Sequence, residues 1–284
     1  MKGYFKIIGL GILVILIAGG FFFNPWKGKN ANLIDPTGKV ISTRIKVPPQ
    51  FERVGVKANT FAEFLRNLPL KNQDAEVHLY DGSIKWNKNA YIAVVDLKIG
   101  DKDLHQCADA VIRLRADYFK SIGEENRIKF HFTNGFLAEY QKWKQGYRIK
   151  VNSDNRVKWV KTGKPSSSSS TYWKFLEMVF SYAGTKSLSK ELVPIDLDNM
   201  KIGDVLIQGG SPGHAVIVVD LARNPRTGQK AFLLAQSYMP AQELQILQNT
   251  QDSKISPWYL LEPNEGISTP EWSFKANDLK RFKD

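Results

Sequence analysis

From Ile7 to Trp26 the chain carries no charged residue, and that stretch limits what the remainder can be. Twenty residues in a helix rise about 30 Å, the thickness of a bilayer's hydrocarbon core. The segment lacks a polar face, so it does not suit one side of a soluble core. Lys2 and Lys6 precede it and Lys27 and Lys29 follow it, so flanking charge sets no orientation. Two readings fit. An uncleaved anchor is favoured because the apolar run continues through Phe21, Phe22 and Phe23; a cleaved export signal would use Ala18 and Gly20 as the small residues ahead of the cut. Either reading places the rest of the chain beyond a membrane, tethered to it in the first case and secreted in the second.

The expected organisation is therefore residues 1–26 as anchor or signal, 27–50 as a polar linker punctuated by Pro36, Pro48 and Pro49, and 51–284 as one soluble domain. With 284 residues, 43% of them hydrophobic, the chain is long enough to bury a sizeable core. Its net charge of +12 favours anionic neighbours: the membrane surface, peptidoglycan or another anionic envelope polymer. The export segment and the scatter of the basic residues argue against nucleic acid. Nothing in the sequence sets an oligomeric state.

Cys107 is the one cysteine, so no intramolecular disulfide exists and no N-terminal lipid-modified cysteine is available. A lone thiol outside the cytoplasm risks oxidation, which makes it an unusual residue in an exported protein. Around it, Leu104, Cys107, Ala108, Val111, Leu114 and Tyr118 recur at three and four, one face of a helix. Asp103 is the expected N-cap, with Gln106 as reciprocal partner, and Gly123 the expected stop. Upstream, a short helix follows Thr60 and ends by Pro69, and Tyr91–Leu97 reads as a strand. Downstream, Thr171–Ala183 reads as a helix. Three strands then follow at Gly203–Gln208, His214–Asp220 and Ala231–Tyr238, joined by turns at Gly209–Gly213 and Asn224–Gly228. A helix first and an antiparallel meander later is an α+β layout.

A cysteine nucleophile needs a favoured thiolate, which the start of a helix supports, and a base within reach that a third polar group orients. His214 leads a strand directly after a Gly-rich turn, on the face expected to carry Val216, Val218 and Asp220. A turn centred near Pro225 and Arg226 sets position 214 opposite residues 236–238. Gln236 is the expected orienting residue, ahead of Ser237 and Tyr238, and a register slip of one would change the choice. Taken singly, a cysteine on an apolar helix face is ordinarily a small core residue, and a histidine at a strand start is ordinarily a surface one. Their relative placement carries the argument.

Gly203-Asp204-Val-Leu-Ile, a glycine turn, then His214-Ala-Val-Ile-Val-Val resembles the strand-turn-strand around the histidine of the NlpC/P60 and CHAP cysteine peptidases. That resemblance implies a papain-like domain with Cys107 as nucleophile and His214 as base, acting on an amide bond such as those of peptidoglycan stem peptides. The flanks of the cysteine differ from the usual pattern, with Gln106 before it and Ala108-Asp109 after it. This motivates a second reading, a catalytically inactive papain-like module that binds or scaffolds the envelope. Most of residues 50–262 also resembles an uncharacterised bacterial family of unknown function, numbered 4846. Gln106–Asp117, Gly203–Asp220 and Ala235–Gln242 carry that likeness.

Other chemistry finds no support. His78, His105 and His131 lack metal-ligand spacing, and no phosphate loop, Gly-x-Ser-x-Gly elbow or dinucleotide fingerprint occurs. No metal or cofactor is expected. His105, Arg113 and Arg115 read as surface positions.

Overall fold

A computed structural model describes residues 33–262 and 265–283. The apolar N-terminal stretch lies outside the described residues. Among these, no helix is long and apolar enough to cross a membrane. Part of the stretch expected as linker is folded: Leu33, Ile41 and Ile45 are buried, and Val40 bridges to Pro69.

The architecture is α+β around one antiparallel sheet. Its principal strands are β1 (Tyr91–Val94), β2 (Val205–Gln208), β3 (His214–Arg223), β4 (Lys230–Gln236), β5 (Gln245–Leu247) and β6 (Leu279–Arg281), in the order β1-β5-β4-β3-β2-β6. Helices α1 (Phe61–Arg66), α2 (Cys107–Ser121), α3 (Ser169–Tyr182) and α4 (Thr185–Glu191) contribute to the larger apolar cluster on one face of this sheet. The opposite face buries Leu206, Val216, Val218 and Leu234 beneath the hairpin Ile267–Ser268/Ser273–Phe274 and Met200.

The expected short helix after Thr60 is present as α1, and the Thr60 hydroxyl caps it, accepting the Glu63 N–H at 3.3 Å. Helix α2 begins later than expected. Asp103 does not cap it. Its Oδ1 instead accepts the Ala241 N–H at 2.7 Å and the Gln106 side-chain amide at 3.0 Å, which ties the approach to the helix onto the segment after β4. Gln106 takes the cap position and donates its N–H to Asp109 Oδ2 at 3.1 Å, so Cys107 is the first helical residue. Strand β4 ends at Gln236, two residues short of Tyr238. There the Ser237 hydroxyl is drawn to the carbonyls of His105 and Gln242, at 2.8 and 2.6 Å.

The β3–β4 ladder contains a bulge. Leu233 faces Asp220, but the next residue, Leu234, faces Val218, leaving Val219 as the extra residue. Beyond it Ala215, Ile217 and Val219 join the helix-side core while Val216 and Val218 join the other. Asp220 therefore does not share His214's face, contrary to the simple alternation. It turns to the α1 side and takes Arg53 on one oxygen and Arg66 on the other, both at 2.7 Å. Asp220 is wholly buried and Arg66 nearly so. Removing the carboxylate strands a buried guanidinium, so Asp220→Ala is expected to cost about 3 kcal/mol. Urea unfolding checks this, and a loss below about 1 kcal/mol, the size of a surface pair, would contradict it.

Candidate active site

Three elements converge at the start of β3. The turn before it is glycine-rich for a steric reason: a Cβ on Gly213 would lie 2.6 Å from both the Gly210 carbonyl oxygen and the Thr185 hydroxyl. His214 follows, pairing with Gln208 in the ladder, the residue only 2% exposed. The imidazole Nε2 lies 2.8 Å from Gln236 Oε1, so the expected orienting residue is the one in contact. Ser237 and Tyr238 have other roles. Ser237 fastens the end of β4 as described, and the Tyr238 ring packs edge-on against His214 at 4.8 Å. Trp272 at 5.4 Å and Phe274 at 6.0 Å complete the wall around the ring.

Cys107 reaches this point from the helix side. The N–H groups of Ala215, Ala108 and Cys107 itself are all directed so as to favour a thiolate. The Ala215 nitrogen is bonded to the carbonyl carbon of His214, so one of the N–H groups acting on the thiol belongs to the peptide that joins His214 to Ala215. Among the described residues no hydrogen bond joins the thiol to the imidazole, whose side-chain partner is Gln236.

Electrostatics oppose the expectation of a lowered thiol pKa. Burial is the largest effect, the Asp109 carboxyl adds to it, and together they push the Cys107 thiol up to about 11 against those three N–H groups. Burial also lowers His214 to about 4, although the Gln236 contact and the Glu271 carboxylate favour its charged form. At neutral pH the resting pair is thus a thiol and a neutral imidazole. Asp109, buried with Oδ1 lacking a partner, has its own pKa raised well above its ordinary value by burial.

A further set of polar groups, invisible to sequence spacing, surrounds Gln236. Its Nε2 donates to Glu271 Oε2 at 2.6 Å. Lys85, 4% exposed at its side chain, pairs with Glu271 at 2.8 Å and donates to Gln242 Oε1 at 2.8 Å. Asn87 donates to Glu271 Oε1 at 3.3 Å. No local pattern could have flagged these residues, because Glu271 arrives on the hairpin 35 residues beyond Gln236.

His105 and Arg115 are not surface residues. The His105 ring is fully buried against Phe180, neither nitrogen has a hydrogen bond of good geometry, and burial above all lowers its pKa to about 3. Arg115 is buried with its guanidinium 4.4 Å from the Phe119 ring centre and 5.0 Å from that of Phe282. Arg115 sits at a helical phase the apolar count skipped, and His105 lies ahead of the helix, where periodicity says nothing of burial. Arg113 pairs with Asp117 at 2.6 Å over the Trp173 ring. Among the described residues no group of three or more His, Cys, Asp or Glu side chains is arranged to hold a metal ion.

The fold and site thus define an α+β protein in which a helix-start cysteine is acted on by the backbone N–H that follows a glutamine-held histidine at a strand start. The chain belongs to the family described as Domain of unknown function (4846), whose model matches residues 41–281. No curated protein and no solved structure matches the chain.

Asp109→Asn keeps an oxygen for the Gln106 N–H and removes the neighbouring charge. The thiol pKa is therefore expected to fall from about 11, read from thiolate absorbance against pH. An unchanged or higher value would contradict this assignment.

Proposed function

We propose that the protein is a papain-like cysteine hydrolase of the bacterial cell envelope that cleaves an amide bond. The observation that carries this reading is the Ala215 N–H acting on the Cys107 thiol, on the peptide that follows a His214 whose ring is held by Gln236. In the reaction, the sulfur attacks the amide carbonyl as the imidazole takes the thiol proton. The C–N bond then breaks, the proton passes to the leaving amine, and water hydrolyses the thioester with His214 again as base. The N–H groups at the start of α2 supply positive dipole where negative charge develops.

Peptidoglycan stem peptides are the proposed substrate class, through the resemblance of the Cys107 and His214 segments to the NlpC/P60 and CHAP peptidases. The net charge of +12 suits an anionic polymer, and the uncharged stretch Ile7–Trp26 supports an extracytoplasmic domain anchored by that segment, or secreted if it is cleaved. One observation favours the second reading, an inactive envelope-binding module: Cys107 is only 7% exposed and its thiol pKa is raised.

The two readings part on His214. Because its pKa is lowered to about 4, it is neutral and competent as a base above that pH; the thiol stays protonated up to about 11. Hydrolysis of a stem peptide is accordingly expected to hold a broad plateau between those limits, losing its base on the acid side. Iodoacetamide should alkylate Cys107 at pH 7 faster than its thiolate fraction allows, and His214→Ala should slow this by about a hundredfold, the low end for a lost general base. Alkylation indifferent to His214, with no peptide cleaved, would mean a binding module.

A further inference from the structure

The hairpin that carries Glu271 covers the face of the sheet on which His214 lies. Its turn is closed by the Thr269 N–H to the Trp272 carbonyl at 2.7 Å and the Trp272 N–H to the Thr269 hydroxyl at 3.1 Å. The Trp272 indole N–H docks it on Gln208 Oε1 at 2.9 Å, at the end of β2 opposite His214. Both Glu271 oxygens are occupied from the protein side. Lys85 approaches each of them, at 2.8 Å from Oε1 and 2.9 Å from Oε2, Asn87 takes Oε1, and Gln236 Nε2 donates to Oε2 at 2.6 Å. Lys85 is itself fixed by Gln242 and lies 5.4 Å from the centre of the Tyr238 ring that packs on His214.

We propose that Glu271, clamped by Lys85, is a positioning residue that fixes which way the Gln236 amide faces and thereby which nitrogen of His214 is left free to act. The proposal rests on the cysteine-hydrolase reading. Its logic is one of donors and acceptors. A carboxylate paired with a lysine only accepts, so the side of Gln236 that meets it must be the NH2 group. The amide oxygen is then turned to His214, and an oxygen 2.8 Å from Nε2 requires the proton there. The neutral ring is held with Nδ1 unprotonated, the atom available to take a thiol proton. Without Glu271 the amide is free to turn over, present NH2 to the ring, and stabilise the opposite tautomer. An ion pair between segments 186 residues apart thus controls the base without touching it.

The test uses the full chain with nitrogen-15 histidine and three variants: Glu271→Gln, which preserves shape while removing the acceptor-only group; Lys85→Arg, which preserves the charge; and His214→Ala, which identifies the ring signals. The wild-type His214 ring is expected to carry its proton on Nε2 at pH 7. Glu271→Gln should give a mixture of tautomers and slow Cys107 alkylation by about tenfold, the size of a lost charge-assisted hydrogen bond. Lys85→Arg should retain the Nε2 tautomer. A wild-type ring protonated on Nδ1, or a Glu271→Gln ring that stays wholly Nε2-protonated with unchanged alkylation, would overturn the proposal. The hydrolase reading fails separately, if His214→Ala leaves alkylation unchanged whatever the tautomer.

Discussion

Along β3, one residue of register is lost between Asp220 and Val218, and the candidate site depends on it. Directly opposed residues of an antiparallel pair share a face, and a shift of one reverses the face of everything beyond it. On the turn side of the bulge, Leu233 faces Asp220. Continued unbroken, that register would set Ile217 opposite Gln236 and turn His214 to the helix side, away from Gln236. With Val219 extruded, Ala235 faces Ile217, and Gln236 falls on the face of Val216 and His214. The 2.8 Å contact between His214 and Gln236 is thus a consequence of the bulge. So is the release of Asp220 toward Arg53 and Arg66, which pins the bulged segment against α1 and the strand Glu52–Arg53.

Much of this was legible from residue order. The recurrence of apolar residues around Cys107 located α2, the Gly-rich turn located the start of β3, and the Asn224–Gly228 turn brought Gln236 within the right window. The remainder was hidden for identifiable reasons. Asp103 looked like a helix cap because its type and spacing suit one; a contact with Ala241, 138 residues away, recruits it elsewhere. Asp220 looked coplanar with His214 because a bulge leaves no mark in a run of valines. Leu33, Ile41 and Ile45 were masked by the surrounding prolines and polar residues. Glu271 and Lys85 have no local signature at all, since their meaning exists only where three separated segments meet.

The electrostatics of the site follow from its enclosure. A helix start offers the sulfur a favourable dipole, and the directed N–H groups are present, yet desolvation exceeds them. The same enclosure lowers His214. A buried thiol and a buried neutral imidazole are a consistent resting state, because neither carries an uncompensated charge in a poorly solvated place. Charge is instead concentrated one layer further out, in the Lys85–Glu271 pair, where each member is satisfied by hydrogen bonds. Reactivity then depends on geometry and proton transfer rather than on a standing ion pair.

The central claim is that the Cys107 sulfur and the His214 imidazole serve one reaction centre, and a short bifunctional alkylator tests it directly. Treated with 1,3-dibromoacetone, the chain's one thiol is labelled first, and the second bromide then captures whichever nucleophile lies within a few bonds. Mass spectrometry of the digested protein is predicted to find the Cys107 peptide joined to the His214 peptide. A Cys107 carrying only a hydrolysed single label, or joined to a residue other than His214, would contradict the account.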